Sequence, residues 1–269
     1  MNLLNPPRLD KAQVRRSFNR SARRYDRSAV LQAEVLKRLL QRLDYIRLEP
    51  ELIVDLGGGT GQAIRPLKKR YRKASVLSLD MAEEMLRVAR GRYSLFERKW
   101  LVNADMEMLP IRDASVDLLF SSLALQWSND LAANFRELRR IGRSGGLLMF
   151  TTFGVNTLRE LRESWASIDD RPRVHQFMDM HDIGDMLMAA GLSQPVMDAE
   201  EITLEYGSFR QLLEDLKGIG ATNAEKGRSR GLMTAQKMKA LECAYAEIGC
   251  KNGHFQATYE VVYGHAWFV

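Results

Sequence analysis

Residues 52–61, LIVDLGGGTG, constrain the fold more than any other segment of the chain. The mostly apolar LIVDL predicts a short buried strand, and the glycines that follow end it in a tight turn. An apolar run of this kind returns four more times, at SVLSLD (75–80), WLVNAD (100–105), SVDLLFSS (115–122) and GLLMFTTF (146–153). Because buried strands that alternate with helical segments pair in parallel, the pattern predicts a doubly wound α/β fold.

The segments on either side of this core differ in their pattern. A helical periodicity runs from 11 to 47 and ends before Pro50. EITLEY (201–206) and ATYEVVYGHAWFV (257–269) predict a sixth and a seventh strand, with two helical segments between them. We therefore predict a seven-stranded sheet in a chain of four parts, which are an N-terminal helical cap (1–48), a core (49–205), a helical insertion (206–254) and the final strand (255–269).

The composition is that of a globular protein. Apolar residues make up 45% and charged residues 28% of the 269, which excludes a mainly disordered or coiled-coil chain. No apolar run of about 18 residues predicts a membrane-spanning helix, and the N-terminal segment lacks the apolar region of a secretion signal. Cys243 and Cys250 make no disulfide framework or metal cluster, and on a helix both would face one way. These features predict a cytoplasmic protein with two reduced thiols.

Positive charge is concentrated at the N-terminus. The chain has a formal net charge of +6, and residues 1–48 alone contain twelve Lys or Arg against four acidic residues. A segment this basic favours an acidic partner, which could be nucleic acid, an anionic membrane surface or an acidic protein. A solvated helix face explains the same charges equally well, so charge alone leaves these alternatives open.

Glycines and acidic residues meet at the ends of the first three predicted strands. The GGGTG loop lets the backbone approach a ligand closely, although an ordinary tight turn between strand and helix uses the same residues. Asp80 ends the second strand, where an acid can hold both hydroxyls of a ribose. Asp105 ends the third strand and is placed to accept a hydrogen bond from an exocyclic amine. Asp55 stands before the glycines, whereas the dinucleotide fingerprint GxGxxG starts at its first glycine.

Four segments, VDLGGGTG, LSLDMAEEML, NADMEMLP and SVDLLFSSLALQW, together resemble the motifs of class I S-adenosylmethionine (SAM)-dependent methyltransferases. The resemblance covers residues 52–153 and implies a Rossmann-like sheet, SAM as the cofactor, and an N-terminal cap over the cofactor site. It implies that Asp80 holds the ribose and Asp105 the adenine, flanked by Met81 and Met106, which core packing would explain almost as well. The implied cofactor residues are Tyr25, Gln32, Asp55, Gly57, Gly59, Gly61, Asp80, Met81, Asp105, Met106 and Ser122.

Segments outside that core narrow the resemblance. SFNRSARRYDRSAVLQ (17–32), LLEDLKGIGATNAEKGRSRGL (212–232) and ATYEVVYGHAW (257–267) are similar to the malonyl-acyl-carrier-protein O-methyltransferases of biotin synthesis, the BioC family. This resemblance runs over nearly the whole chain and implies methyl transfer to the free carboxylate of a malonyl thioester. Because the acyl-carrier protein is acidic as a class, the basic N-terminal segment and the Lys226, Arg228 and Arg230 cluster fit a surface on which it docks.

A carboxylate acceptor is deprotonated at neutral pH, so the implied reaction needs no strong general base. The sequence agrees, because no catalytic triad order, no paired catalytic acids, no metal-ligand spacing and no recognised nucleic-acid-binding module stands out. We predict that Tyr25, Gln126 and Trp127 line the methyl-transfer face as catalytic residues. The predicted substrate-binding residues are the positively charged Arg173, Lys217 and Arg228, and either Arg173 or Lys217 would orient the malonyl carboxylate.

Three other functions remain open from the sequence. Complex I assembly factors that act as SAM-binding protein arginine hydroxylases resemble the chain over the core and have a similar ATY-rich last strand. A quinone-type small-molecule methyltransferase would share the core, although the 206–254 insertion argues against it. The third is a catalytically silent SAM-binding scaffold, against which the intact glycine loop and both acids argue only weakly.

Overall fold

The computed structural model of the chain describes residues 8–94, 98–169, 173–220, 224–225 and 234–269. Its centre is one β-sheet with the strand order β3-β2-β1-β4-β5-β8-β6, and the short β7 pairs with β8. The strands are β1 Leu52–Leu56, β2 Ser75–Asp80, β3 Trp100–Asn103, β4 Val116–Ser122, β5 Gly142–Phe153, β6 Leu192–Tyr206, β7 Cys250–Lys251 and β8 His254–Phe268. Strands β1–β5 are parallel, and β8 is antiparallel to both β5 and β6. The predicted doubly wound seven-stranded sheet is therefore confirmed, with β7 as a two-residue addition.

Helices cover both faces of the sheet. Those of the described residues are α1 Lys11–Ser21, α2 Tyr25–Ser28, α3 Val30–Arg42, α4 Ile64–Arg70, α5 Glu83–Ala89, α6 Leu131–Ile141, α7 Arg159–Ala166, α8 Met180–Ala189, α9 Phe209–Gly218 and α10 Ala235–Gly249. Neighbouring strand residues such as Ile53 and Val54 point to opposite faces, and both are fully buried. One apolar cluster includes Ile53 and side chains of α3, α4, α7, α9 and α10, whereas the other includes Val54 and side chains of α6 and α8.

The N-terminal segment is divided into three helices, although the sequence predicts one helical pattern over 11–47. Asp10 caps α1 by accepting a hydrogen bond from the backbone N–H of Gln13, and α1 ends at Ser21. The short α2 ends at Ser28, and the next residue, Ala29, has a ψ of 42° that interrupts the helical path before α3 begins. The apolar periodicity continues across both breaks, and no glycine or proline marks them, so the sequence pattern gave no signal of the division.

The two long antiparallel strands extend beyond their predicted bounds. Strand β6 begins at Leu192, nine residues before the predicted EITLEY, and β8 begins at His254 rather than at Ala257. Residues along β6 alternate between more and less exposed, as expected of a strand at the edge of a sheet. A register shift between Ser193 and Val196, next to Gln194 with a φ of 50°, interrupts the pairing with β8. The sequence did not predict this irregular first part of β6.

The segment between β6 and β8 packs on the core through its two helices. Phe209 of α9 and Tyr245 of α10 are buried, and their rings lie 5.1 Å apart.

The prediction that both cysteines lie on one face of a helix is wrong. Helix α10 ends at Gly249 and Cys250 begins β7, while Cys243 is exposed on α10. The boundaries at 48, 205 and 254 stay predictions. None of the helices in the described parts of the chain is long and apolar enough to cross a membrane.

Candidate active site

The glycine loop after β1 folds back over the end of β2. The N–H groups of Gly57 and Gly58 donate to the carbonyl oxygen of Leu79 at 2.8 and 3.1 Å. Gly57 and Gly59 have φ values of 67° and 54°, which side chains with a Cβ rarely adopt. A Cβ at Gly57 would lie 2.3 Å from that of Ala124, whereas nothing lies within 4 Å of one at Gly59. The loop therefore packs closely against Ala124 at Gly57, whereas its backbone at Gly59 is open to a ligand.

A cavity of about 770 Å³ lies beside this loop, at the carboxyl ends of β1, β2 and β4. Ligands bind at this edge of open α/β sheets, where the strand order reverses. Its lining residues are Phe18, Tyr25, Gln32, Gly57, Gly59, Leu79, Asp80, Met81, Met85, Ala104, Asp105, Met106, Ser122, Leu123, Ala124, Gln126, Trp127, Phe153 and Ile219. Two of the predicted cofactor residues do not line this cavity. Asp55 lines a smaller cavity next to it, and Gly61 lines neither of the two. A Cβ at Gly61 would meet Ile64 and Ala89, so this glycine serves helix packing.

Asp80 connects the glycine loop to the end of β2. Its Oδ2 accepts from the N–H of Gly59 at 2.9 Å, and its Oδ1 accepts from the N–H of Ala82 at 2.7 Å. Each carboxylate oxygen keeps a further lone pair for a hydroxyl donor. Burial raises the pKa of Asp80 to about 6, while the two backbone hydrogen bonds act in the opposite direction. Asp80 is therefore a pre-oriented acceptor that is ionised at neutral pH.

Two buried oxygens beside the loop favour a cationic ligand. Among the described residues, no donor forms a hydrogen bond with Oε1 of Gln32, and the donor beside the carboxylate of Asp55 is the hydroxyl of Ser78. Both Asp55 and Gln32 line the adjoining cavity with Gly57, Gly59 and Ser122. Burial, and secondly the negative charge of Asp80, raises the pKa of Asp55 to about 7, while the Ser78 hydrogen bond acts in the opposite direction. A buried carboxylate with no cation beside it is costly, so a positively charged group at this place would stabilise it.

The third acidic residue, Asp105, is held by a lysine that sequence analysis did not assign to the site. Lys11 Nζ lies 2.9 Å from Asp105 Oδ1 and 3.1 Å from Glu107 Oε1. Lys11 belongs to α1 and is 94 residues away in sequence, so no local pattern could have revealed the pair. Met81 and Met106 line the cavity and also pack in apolar clusters. Their positions therefore agree with both ligand contact and core packing.

Aromatic side chains from α1, α2 and the segment after β4 close the cavity. Phe18 packs edge-on against Trp127, with ring centroids 5.3 Å apart, and lies 6.5 Å from the ring of Tyr25. Burial, followed by the charges of Asp80 and Asp26, raises the pKa of the Tyr25 hydroxyl well above its usual range. This hydroxyl therefore stays protonated and acts as a hydrogen-bond donor rather than as a base. Phe18 was missed as a site residue because its helical spacing predicts only core packing.

The side chain of Gln126 is anchored at the edge of the cavity. Its Nε2 donates to the carbonyl oxygen of Leu123 at 2.8 Å, and the hydroxyl of Thr152 donates to its Oε1 at 3.4 Å. Gln126 and Trp127 belong to a short 3₁₀ turn, Leu125–Trp127, directly after β4. The structure thus brings Tyr25, Gln126 and Trp127 to one cavity, as predicted, while the catalytic roles assigned to them stay predictions.

The predicted substrate-binding residues do not join this group. Arg173 pairs with Asp169, and its guanidinium carbon lies 4.8 Å from the ring centroid of Trp165, outside the cavity. Lys217 is exposed near the end of α9 and lines no part of the cavity, although Ile219 two residues later does. Arg228, like Lys226 and Arg230, lies outside the described residues. Within the described ranges, no group of three or more His, Cys, Asp or Glu could hold a metal ion.

Comparisons with known proteins agree with this geometry. A family model described as a methyltransferase domain matches residues 54–150. Malonyl-[acyl-carrier protein] O-methyltransferase of Halorhodospira halophila is 48% identical over 99% of this chain and 91% of its own length. The enzyme of the same name from Laribacter hongkongensis is 49% identical over 96% of this chain and 89% of its own length.

Solved structures with low identity share the fold. The YcgJ protein of Bacillus subtilis has a TM-score of 0.61 at 16% identity, covering 87% of this chain and 97% of that one. Phosphoethanolamine N-methyltransferase 2 of Haemonchus contortus, solved with SAM, has a TM-score of 0.56 at 17% identity, covering 93% of this chain and 57% of that one. At these identities the likeness shows the fold alone.

The side chains around the cavity fit SAM as the cofactor. The buried carboxylate of Asp55, and Oε1 of Gln32, which lacks a donor among the described residues, suit its positively charged groups. Asp80 offers acceptors for the ribose hydroxyls, and the glycine loop leaves room for close backbone contact. Since relatives that are 48–49% identical match at least 96% of its length, the chain belongs to the malonyl-[acyl-carrier protein] O-methyltransferase family of SAM-dependent methyltransferases.

Proposed function

We propose that this chain methylates the free carboxylate of a malonyl group carried by an acyl-carrier protein, the step that starts pimeloyl-chain synthesis for biotin. The observation that carries the proposal is a sequence identity of 45–49%, over at least 96% of this chain, to curated relatives named for this activity. It favours this activity over the hydroxylase and quinone-type alternatives.

The reaction requires positioning rather than proton removal. SAM supplies a methyl group on a positively charged sulfur, and a carboxylate oxygen forms the new O–C bond while the C–S bond breaks and its electron pair remains on sulfur. The product ester is neutral, and no proton is transferred. Asp80 would hold the ribose of SAM, Asp105 the adenine, and Asp55 with Gln32 the ammonium group of the methionine part. Phe18 and Trp127 exclude water, which strengthens these electrostatic contacts.

Tyr25 and Gln126 orient the acceptor in this proposal. Because the Tyr25 hydroxyl stays protonated, it donates a hydrogen bond to the malonyl carboxylate without competing for the methyl group. Gln126 is already held by Leu123 and Thr152, so it presents a fixed surface beside the methyl group at no cost in side-chain freedom. Trp127 covers the same face and completes the apolar wall.

A basic surface on α1 and α2 is the proposed docking site for the carrier protein. It is formed by six exposed arginines, Arg15, Arg16, Arg20, Arg23, Arg24 and Arg27, which we term the arginine face. Within the described ranges, none of the six has a carboxylate within 4.0 Å. The same two helices place Phe18 and Tyr25 in the cavity, so the face borders the entrance for the malonyl group. Unpaired arginines at such a position attract an acidic partner.

Charge reversal on the arginine face should weaken the reaction with the carrier-protein substrate. We expect Arg20→Glu with Arg24→Glu to raise the KM for malonyl-acyl-carrier protein about tenfold at low salt, because steering by exposed charges acts over a Debye length of about 10 Å. Raising salt to about 0.5 M should weaken turnover of the wild type in the same way. The KM for malonyl-CoA should change much less in both experiments.

Arg112→Glu is the matched control, since Arg112 is exposed on the loop before β4 and has no ion pair among the described residues. Steady-state kinetics with both thioesters would measure all variants. Equal effects of salt or of charge reversal on the two thioesters would contradict docking through the arginine face.

The chemistry itself is tested with purified protein and methyl-labelled SAM. Malonyl-acyl-carrier protein should gain one methyl group that mild base removes, detected by mass spectrometry, and acetyl-acyl-carrier protein should gain none. Transfer to the malonyl thioester alone identifies the carboxylate as the acceptor. Failure of transfer by protein that binds SAM would overturn the proposed function and favour a silent scaffold.

The proposal includes a cytoplasmic location. Both cysteines of the chain are free thiols, which is typical of proteins kept in a reducing compartment.

A further inference from the structure

A second cavity of about 440 Å³, counted out to where it opens to solvent, adjoins the cofactor cavity. We term it the acceptor cavity, and its lining includes Gln126, Thr152, Phe153, His175, Phe177 and Ile183. Gln126 and Phe153 line both cavities and therefore form a shared wall. Thr152 and Phe153 end β5, next to the end of β4, so the acceptor cavity lies at the ligand-binding edge of the sheet.

His175 is the only side chain capable of positive charge among the described residues that line either cavity. The carboxylates of Asp80 and Asp105 line only the cofactor cavity, so the carboxylate that faces this histidine is that of Glu225. A carboxylate that enters a cavity with apolar walls such as Phe153 and Phe177 requires a donor or a cation to replace its lost hydration. His175 can supply that donor, whereas Arg173 and Lys217 lie outside both linings.

Surrounding groups hold the imidazole in one orientation. Its Nδ1 lies 3.4 Å from Oε1 of Glu225, a side chain that is only 1% exposed, and this contact is within ion-pair distance but does not meet the geometry of a hydrogen bond. The ring lies nearly parallel to that of Trp127, at 13° with centroids 6.0 Å apart, and meets the edge of Phe177 at 5.0 Å. The carboxylate of Glu225 is itself bonded by the N–H of Gln176 at 3.3 Å. With Nδ1 directed at Glu225, Nε2 is the nitrogen left for a ligand.

We propose that His175 binds the malonyl carboxylate in the acceptor cavity and thereby selects malonyl over acetyl thioesters. One carboxylate oxygen is held by Nε2 of His175, which leaves the other oxygen for the methyl group at the junction of the two cavities, beside Gln126 and Phe153. Glu225 and Trp127 are positioning residues that act through His175. This inference rests on the proposed function, because it assumes a malonyl thioester as the acceptor.

The test compares His175→Ala and His175→Gln with the wild type by calorimetric binding of malonyl-CoA and acetyl-CoA in the presence of S-adenosylhomocysteine. We expect His175→Ala to weaken malonyl-CoA binding at least about tenfold, which is about 1.4 kcal/mol. Acetyl-CoA and SAM affinities should stay within about twofold of the wild type. His175→Gln keeps a hydrogen-bond donor, so its loss should be smaller. A structural role alone would not change the ratio of the two affinities.

His181→Ala is the matched control, because that histidine is exposed on α8 and should leave all three affinities unchanged. If His175→Ala does not fold, His175→Gln and Glu225→Gln carry the same comparison. An unchanged malonyl-to-acetyl affinity ratio in the folded variants would overturn the assignment. Methyl transfer by the wild type to malonyl-acyl-carrier protein is measured separately, and its absence would overturn the proposed function, whereas the binding ratio alone decides the role of His175.

Discussion

Replacing Asp80 with alanine should nearly abolish SAM binding, with Kd raised at least about 100-fold. Two ribose hydroxyls that donate to a carboxylate contribute about 1.5–3 kcal/mol each, and every 1.4 kcal/mol is about a factor of ten in affinity. The variant also loses the acceptors for the N–H groups of Gly59 and Ala82, so the glycine loop is no longer tied to the end of β2. Calorimetry with SAM and with S-adenosylhomocysteine would measure the loss.

Two further variants separate binding from folding. Asp80→Asn keeps one oxygen acceptor but directs an NH₂ group at a backbone donor, so its loss should lie between those of the wild type and alanine. Asp185→Ala removes an exposed carboxylate from α8 and should leave the Kd unchanged. If Asp80→Ala has the same thermal unfolding as the wild type and its Kd for SAM is within about threefold of the wild-type value, Asp80 does not hold the cofactor.

The affinity for SAM should also fall in acid. Burial raises the pKa of Asp80 to about 6, so the carboxylate is mostly ionised at pH 7 and mostly protonated at pH 5. Only the ionised form accepts from both hydroxyls and both backbone N–H groups. Protonation of Asp80 alone should raise Kd about tenfold from pH 7 to pH 5, and protonation of Asp55, whose pKa is about 7, should add to this rise.

Replacing Asp55 with asparagine should stabilise the free protein while it weakens cofactor binding. Burial, followed by the charge of Asp80, raises the pKa of Asp55 from its ordinary 3.8 to about 7. Between those two values the folded protein binds more protons at Asp55 than the unfolded chain does. The free energy of unfolding contributed by this group therefore falls as pH rises from about 4 to about 7, and the full cost is present above pH 7.

Asparagine removes the buried charge and with it this cost. We expect the Tm of the SAM-free variant to exceed that of the wild type by about 5 °C at pH 8, with a smaller difference at pH 5. SAM affinity should fall about tenfold or more, because the charge-assisted contact with its ammonium group is lost. Thermal melts with and without SAM at the two pH values measure both effects. A variant that is less stable than the wild type at pH 8 and binds SAM normally would contradict this assignment.

Local sequence patterns were enough to predict the core of the fold and, in the site, the glycine loop and the acids at the strand ends. Apolar runs ended by glycines or acids predicted β1–β5 and the placement of Asp80 and Asp105 at strand ends, because parallel strands bring their carboxyl ends to one edge. The same reasoning failed where periodicity continues through a break, as at Ala29, and where an edge strand begins irregularly, as near Gln194.

The other residues around the two cavities are placed by contacts between segments that are distant in sequence. Lys11 meets Asp105 across 94 residues, and Phe18 meets Trp127 through the docking of α1 on the sheet edge. His175 lies beside Glu225, 50 residues later, and neither residue stands in a pattern that marks a site. The charged residues predicted to orient the carboxylate were selected by charge alone, and packing placed Arg173 against Trp165 instead.

The doubly wound sheet, the glycine loop and the acids that end β2 and β3 follow from residues close together in the chain, so they could be predicted without the structure. The packing of helices and strands was needed to show which side chains close the cofactor cavity, which arginines have no ion pair among the described residues, and that His175 rather than Arg173 or Lys217 lines the acceptor cavity. This is so because charge and periodicity specify what a residue can do, whereas the packing of whole elements decides which other residues it meets.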